Sequence, residues 1–123
     1  MKGAWTPPGW PPTVHPPGTD GFPRTAHNWL LDHCPPEFRA YDVLRRHPVL
    51  LARMASEQLA GAVEACRAGY RTARADLREV VAQTAVEELL AVYEREGRRL
   101  AAAQRAADLL ARALVGESFV EPL

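Results

Sequence analysis

The chain has 123 residues, with 15 basic and 15 acidic side chains and a formal net charge of zero. A chain of this length normally forms one hydrophobic core, and its balanced charge disfavours capture of nucleic acid or an anionic membrane by bulk electrostatics. Two cysteines do not make a disulfide framework, and neither a signal peptide nor an apolar run of about 20 residues is present. We therefore expect a soluble, reduced, cytoplasmic protein without membrane attachment.

Residues 1–24 are predicted to form a proline-rich extended arm. Seven prolines fall within residues 5–23, which favours polyproline II structure interrupted by turns at the glycines. Trp5, Trp10 and Phe22 are unusual in a disordered segment, so we expect the arm to lie along the body of the protein with its aromatic side chains in grooves. Two alternatives are a free arm that becomes ordered on a partner and a ligand for a domain that recognises polyproline.

The remaining residues, 25–123, are predicted to form one helical domain that begins with two short helices. The first covers residues 26–34 and the second covers 36–46, because proline cannot continue a helix and Pro35 and Pro48 follow them. Their apolar side chains are Trp29, Leu30, Leu31, Phe38, Tyr41 and Leu44. We expect these side chains to cover the open end of the longer helices that follow.

Two long helices are predicted over residues 48–81 and 85–115. Each carries an apolar or small residue at alternating steps of three and four, the spacing of one helix face. The segment from Thr84 to Glu87 matches a capping box at the start of the second helix, and Gly116 matches a helix-terminating glycine.

The connection between the long helices is so short that they must lie antiparallel. Folding them about Gln83 places Leu59 beside Ala107, Cys66 beside Leu100 and Arg78 beside Glu87. The predicted fold class is all-α: a long antiparallel two-helix hairpin of coiled-coil type, capped by two short helices and preceded by the extended arm.

No pattern in the chain predicts catalysis, a cofactor or a metal. The four histidines and Cys34 lack the paired spacing of a zinc site. Glu-x-x-His pairs, nucleophile motifs and glycine-rich phosphate loops do not occur in the sequence. We therefore expect a protein that is not an enzyme.

Four arginines, Arg67, Arg71, Arg74 and Arg78, follow one another at steps of four, three and four along the first long helix. Arginine forks bind phosphate with two hydrogen bonds, so these side chains could form phosphate contacts. Pairing with glutamates of the second long helix is the interpretation that we favour, although it leaves Arg67 beside Arg98 and Arg99.

Several apolar side chains lie off the predicted seam between the helices. Leu89 and Val92 lie near the hairpin tip, and Leu109 and Leu110 extend this surface toward the open end. Together with the two arm tryptophans, Trp5 and Trp10, they are the candidate protein interface, because exposed apolar patches often mark contacts.

The function that these features favour is a helical protein-interaction module, an adaptor or accessory subunit. We expect a homodimer in which two hairpins form a four-helix arrangement, and a helical partner protein is the alternative occupant of the same surface. A nucleic-acid-associated regulator that uses the arginine ridge is the second hypothesis.

Overall fold

The computed structural model describes residues 5–123, so residues 1–4 of the predicted arm lie outside the described part of the chain. The elements are α1 (Phe22–Asp32), a 3₁₀ turn (Pro36–Ala40), α2 (Asp42–Arg46), α3 (Pro48–Leu77) and α4 (Gln83–Leu114). No strand occurs among these residues, and the predicted all-α class is confirmed.

The short elements differ from the predicted helices at their ends. Helix α1 begins at Phe22 rather than residue 26, because Pro23 lies in the first turn, where its missing N–H costs nothing. The single helix expected over 36–46 is divided at Tyr41, whose extended backbone separates the 3₁₀ turn from α2.

The two long helices form the predicted hairpin, joined by residues 78–82. Helix α3 ends at Leu77, four residues earlier than the predicted 81. Helix α4 begins at Gln83, after an extended Ala82 that provides no side-chain cap. The capping box predicted at Thr84 is therefore wrong, because the helix has already started before the threonine.

The C-terminus of α4 is closed as the sequence predicts. Gly116 has φ +92°, and its N–H donates to the carbonyl of Ala113 at 3.0 Å while the N–H of Glu117 donates to the carbonyl of Arg112 at 3.0 Å. This pair of hydrogen bonds is a Schellman motif, which requires the left-handed backbone that glycine adopts without strain.

The register of the hairpin differs from the prediction by about one helical turn. Arg74, not Arg78, pairs with Glu87 (Nη2 to Oε2, 3.2 Å), and the Cys66 thiol donates to the carbonyl of Tyr93 at 3.1 Å. Toward the open end Leu59 packs with both Ala103 and Ala107, so the predicted contact between Leu59 and Ala107 is kept although the alignment has shifted. The difference follows from the early end of α3, which centres the turn on residue 80 rather than on Gln83.

The main core lies at the open end of the hairpin, which we call the base. Leu30 and Leu31 of α1 and Leu44 of α2 pack there against Leu51 of α3 and Leu110 of α4. Trp29 and Phe38 pack around them. The predicted covering role of the short helices is therefore confirmed, with the exception of Tyr41, which is exposed.

The arm packs on this base as a series of turns. Gly9 and Gly18 have φ +92° and +83°, and hydrogen bonds from Trp10 N–H to the Pro7 carbonyl and from Thr19 N–H to the Pro16 carbonyl close the two turns. Proline followed by a glycine of positive φ is the pattern of a type II turn. Val14 is buried in the main core, so the described part of the arm belongs to the folded body, as the aromatic residues predict.

Candidate interaction surfaces

The tip of the hairpin has a small core of its own. Ala73, Val86 and Leu90 are buried there, and Leu77 and Leu89 pack around them. Among the described residues, the side chains of this cluster come from α3 and α4 alone, because α1, α2 and the described part of the arm lie at the base. The tip is therefore a two-helix structure that lacks the covering layer present at the base.

Three valines of the tip are exposed. Val80 is 70% exposed, Val81 is 44% exposed and Val92 is 52% exposed. The prediction that Val92 lies off the seam agrees with this placement. Leu89 is half-buried against the tip core, so the chain itself already covers part of its surface.

The other predicted interface residues lie within the fold. Leu110 is fully buried in the main core, so its assignment to a surface is wrong: α4 turns this position toward α1 and α3. Leu109 is half-buried, with the arm residue Gly9 against it. Trp10 is half-buried between Phe22 and Phe119, with ring centroids 5.8 and 6.1 Å away.

The arm tryptophans make contacts within this chain. The indole Nε1–H of Trp10 donates to the carbonyl of Val14 at 2.9 Å. Trp5 is half-buried beside Phe22 and Phe119 in a shallow groove. Their positions match the expectation that the arm lies on its own body, and Phe119 shows that the C-terminal tail joins this contact.

The base carries an exposed apolar patch that the sequence analysis missed. Tyr41, Val43, Val49 and Leu50 are between 42% and 52% exposed. Tyr41 is one of the side chains that the sequence predicts to cover the open end, but in the structure its ring is exposed. Three consecutive apolar residues, Val49, Leu50 and Leu51, begin α3. Consecutive residues point to different sides of a helix, so this run indicates that some of them are exposed.

A groove of about 550 Å³ runs between α3 and α4 in the middle of the hairpin. Its lining is Val63, Cys66, Arg67, Tyr70, Arg71, Tyr93, Glu94, Gly97, Arg98 and Ala101. We call it the arginine groove, because three guanidinium groups and one carboxylate surround its apolar floor. The carboxylate belongs to Glu94, whose Oε1 accepts a hydrogen bond from the Tyr70 hydroxyl at 3.2 Å.

The four arginines of the predicted ridge divide into two groups. Arg74 pairs with Glu87 across the hairpin, and Arg67 pairs with Glu64 of its own helix at 2.8 Å. Arg71 and Arg78 have no ion pair among residues 5–123. Intramolecular ion pairs therefore account for two of the four ridge arginines, Arg67 and Arg74.

Two titratable groups near the base have altered acidity. Burial, together with the positive charges of Arg45 and Arg39, lowers the pKa of His27 below its ordinary value of 6.5. Burial raises the pKa of the Cys34 thiol, and Arg39 opposes that effect. In the described part of the chain, no three His, Cys, Asp or Glu side chains are grouped so that they could hold a metal ion.

Comparison with known proteins gives no relative from which a function could be transferred. No protein-family model matches the chain, and no curated protein or solved structure matches it at a significant level. Within residues 5–123, no helix combines the length and the apolar character that crossing a membrane requires.

Proposed function

We propose that this protein is a non-enzymatic helical interaction module, an adaptor or accessory subunit of the cytoplasm, that self-associates as a homodimer. The observation that carries the proposal is the uncovered tip, where Val80, Val81 and Val92 are exposed above a small core. Helices draw most of their stability from tertiary packing, so a second copy that covers these valines would stabilise the tip. Burial of each exposed valine surface would contribute about 1 kcal/mol.

The exposed patch at the base is a suitable contact for the tip of a second copy. The tip, residues 72–92, contains two arginines and four carboxylates, a net charge of −2. The base surface, residues 41–53, contains three arginines and one aspartate, a net charge of +2. Both surfaces carry exposed apolar side chains, so a contact between tip and base combines apolar burial with opposite charge.

An antiparallel pair of hairpins makes this contact twice. Helix α3 has 30 residues and is therefore about 45 Å long, so the tip of each copy reaches the base of the other when they lie side by side. Twofold symmetry makes the two contacts identical. Pairing of tip with tip would instead bring two negative surfaces together, which like-charge repulsion disfavours. The result is the four-helix arrangement that the sequence analysis expected, with a defined orientation.

Sedimentation equilibrium of the full chain at micromolar concentration tests the proposal. We expect a dimer for the wild type and a monomer for Val92→Glu, because the added charge would be buried unpaired at the contact. Ala102→Glu adds the same charge at an exposed position of α4 away from the tip and should remain a dimer. A monomeric wild-type chain would contradict self-association and leave a helical partner protein as the occupant of the tip.

Nucleic-acid binding is the second candidate function, favoured by the two ridge arginines that form no ion pair within residues 5–123, Arg71 and Arg78. Phosphate contacts would give an affinity for duplex DNA that falls steeply with salt. An affinity that is absent at low salt would exclude this function.

A further inference from the structure

The arginine groove continues into a second groove toward the base of the hairpin. A second groove, lined among others by Pro8, Gln104, Arg105 and Leu109, shares Arg67 and Ala101 with it. Along α4 the combined groove extends over 17 residues, from 93 to 109, which corresponds to about 24 Å. We call the combined groove the channel. It is open to solvent along α3 and α4, and it is long enough to hold a helix of about four turns.

Basic side chains stand on both edges of this channel. Arg67 and Arg71 lie on the α3 edge, and Arg98 and Arg105 lie on the α4 edge. Three of the four, all but Arg67, have no ion pair among residues 5–123.

The two carboxylates that line the channel already have partners. Glu94 accepts the Tyr70 hydrogen bond, and Asp108 faces Arg112 at 3.9 Å. The four arginines outnumber these two carboxylates, so the lining of the channel carries an excess of two positive charges.

The floor between these edges is apolar, and Gly97 adds no side chain to it. Val63 and Cys66 are buried beneath it, and Gly97 lies in the middle of α4. A methyl group at position 97 would lie 3.8 Å from the Cys66 Sγ, an ordinary contact, so the packing of α3 against α4 does not require a glycine here. Glycine inside a helix costs about 0.5–1 kcal/mol relative to alanine, and in this position a small residue leaves open a floor that a large side chain would fill.

We propose that the arginine groove binds an amphipathic helix of a partner protein whose apolar stripe is flanked by glutamate and aspartate. The apolar stripe packs on the floor, and the acidic flanks pair with Arg71 on one edge and Arg98 on the other. Binding converts this part of the hairpin into a three-helix bundle, the helix-in-groove mode of recognition. An apolar floor offers nothing to a phosphate backbone, which is why we favour an acidic helix over nucleic acid. The inference rests on the proposed role as an interaction module but not on self-association.

Fluorescence anisotropy with three labelled probes tests this inference on the full chain. The first probe is a synthetic helix of about 18 residues with leucine at positions i, i+3, i+4 and i+7 and glutamate on both flanks. The second probe replaces every glutamate with lysine, and the third is duplex DNA. We expect the glutamate probe to bind at least about tenfold more tightly than the lysine probe, since opposite charges across the groove favour only the first.

Four variants locate the binding. The double variant Arg71→Glu with Arg98→Glu should weaken binding of the glutamate probe at least about tenfold by reversing both edges, whereas Arg95→Glu, exposed outside the groove, should leave it within about twofold. Gly97→Leu should abolish binding by filling the floor, and Gly97→Ala should retain it, because its methyl group makes only an ordinary contact. Thermal melts verify that each variant is folded.

Several results would overturn the inference. These are equal affinity for the glutamate and lysine probes, unchanged binding by Gly97→Leu, and tight binding of DNA without binding of the glutamate probe. Sedimentation of the same samples separates the two proposals. If the chain is a monomer and binds the glutamate probe, only the proposal of self-association is contradicted. If the chain is a dimer and does not bind the probe, only the proposal of helix binding in the groove is contradicted.

Discussion

The ring of Tyr93 in α4 occupies the space that a side chain at position 69 of α3 would need. A methyl group on Gly69 would lie 2.5 Å from both Cζ and Oη of Tyr93. Glycine at position 69 therefore leaves room for the Tyr93 ring, and the carbonyl of the same tyrosine accepts the Cys66 thiol hydrogen bond. This contact ties the middle of α3 to the middle of α4.

Gly69→Ala is expected to destabilise the chain even though alanine favours helix. Relief of the clash requires movement of Tyr93, and overpacking of this kind costs about 1–3 kcal/mol. Gly61 lies in the same helix, and no atom of residues 5–123 would lie within 4 Å of a methyl group added there, so Gly61→Ala should stabilise the chain by about 0.5–1 kcal/mol. Chemical denaturation of the two variants measures the difference, and stabilisation by both would show that Tyr93 does not constrain position 69.

The same contact predicts a specific coupling. In the Tyr93→Ala background the added methyl group has room, so Gly69→Ala should become neutral or stabilising. A double-mutant cycle reports this as an interaction energy above about 0.5 kcal/mol, the size seen for residues in contact. Additive effects would mean that the two positions are independent.

Val14 is expected to anchor the arm. It is 4% exposed and lies in the main core, so Val14→Asp would bury an unpaired carboxylate at a cost of several kcal/mol. The neighbouring Thr13 is exposed, and Thr13→Asp should leave the melting temperature within a few degrees. Differential scanning calorimetry compares the two variants. An equal, small effect of both would show that the arm is not part of the folded body.

His27 should make the protein less stable in mildly acidic solution. Burial, the largest cause, lowers the pKa of His27 below 6.5 in the folded chain, so the unfolded chain takes up this proton more readily. Stability from the neutral imidazole is therefore complete above about pH 6.5 and is lost as the pH falls through 6.5 toward the lower folded value. His27→Gln should show a smaller decrease in unfolding free energy between pH 7.5 and 5.5, and an unchanged decrease would assign the effect to other groups.

Reversing the charge of the tip or of the base surface should prevent formation of the proposed dimer. Glu79→Arg with Glu88→Arg changes the tip from −2 to +2, and Arg45→Glu with Arg53→Glu changes the base from +2 to −2. Each double variant should sediment as a monomer, because its tip and base then have the same sign. Mixed with one another, the two should form a heterodimer, and the chain that carries all four substitutions should again form a homodimer. Dimerisation of each double variant alone would exclude contact between tip and base.

The sequence by itself determined the all-α class, the two long helices and their antiparallel arrangement. Steps of three and four residues fix a helix face, and a connection as short as residues 78–82 allows only a hairpin. The aromatic residues of the arm correctly predicted that it packs on the body, and Gly116 correctly predicted the end of α4. Helix spacing, the short connection and the placement of glycine and aromatic residues are visible in the sequence, so these features could be predicted from it.

Only the tertiary structure decided the register and the surfaces that depend on it. An apolar stripe repeats at each turn, so sliding one helix by a turn preserves an apolar seam and the sequence pattern cannot distinguish the two alignments. The end of α3 at Leu77 and the fit of Tyr93 against Gly69 select one of them. That selection pairs Arg74 with Glu87, leaves Arg71 without an ion pair in the described part of the chain and opens the arginine groove. The burial of Leu110 was also decided by the tertiary structure, because the elements that pack against a helix determine which of its faces is covered.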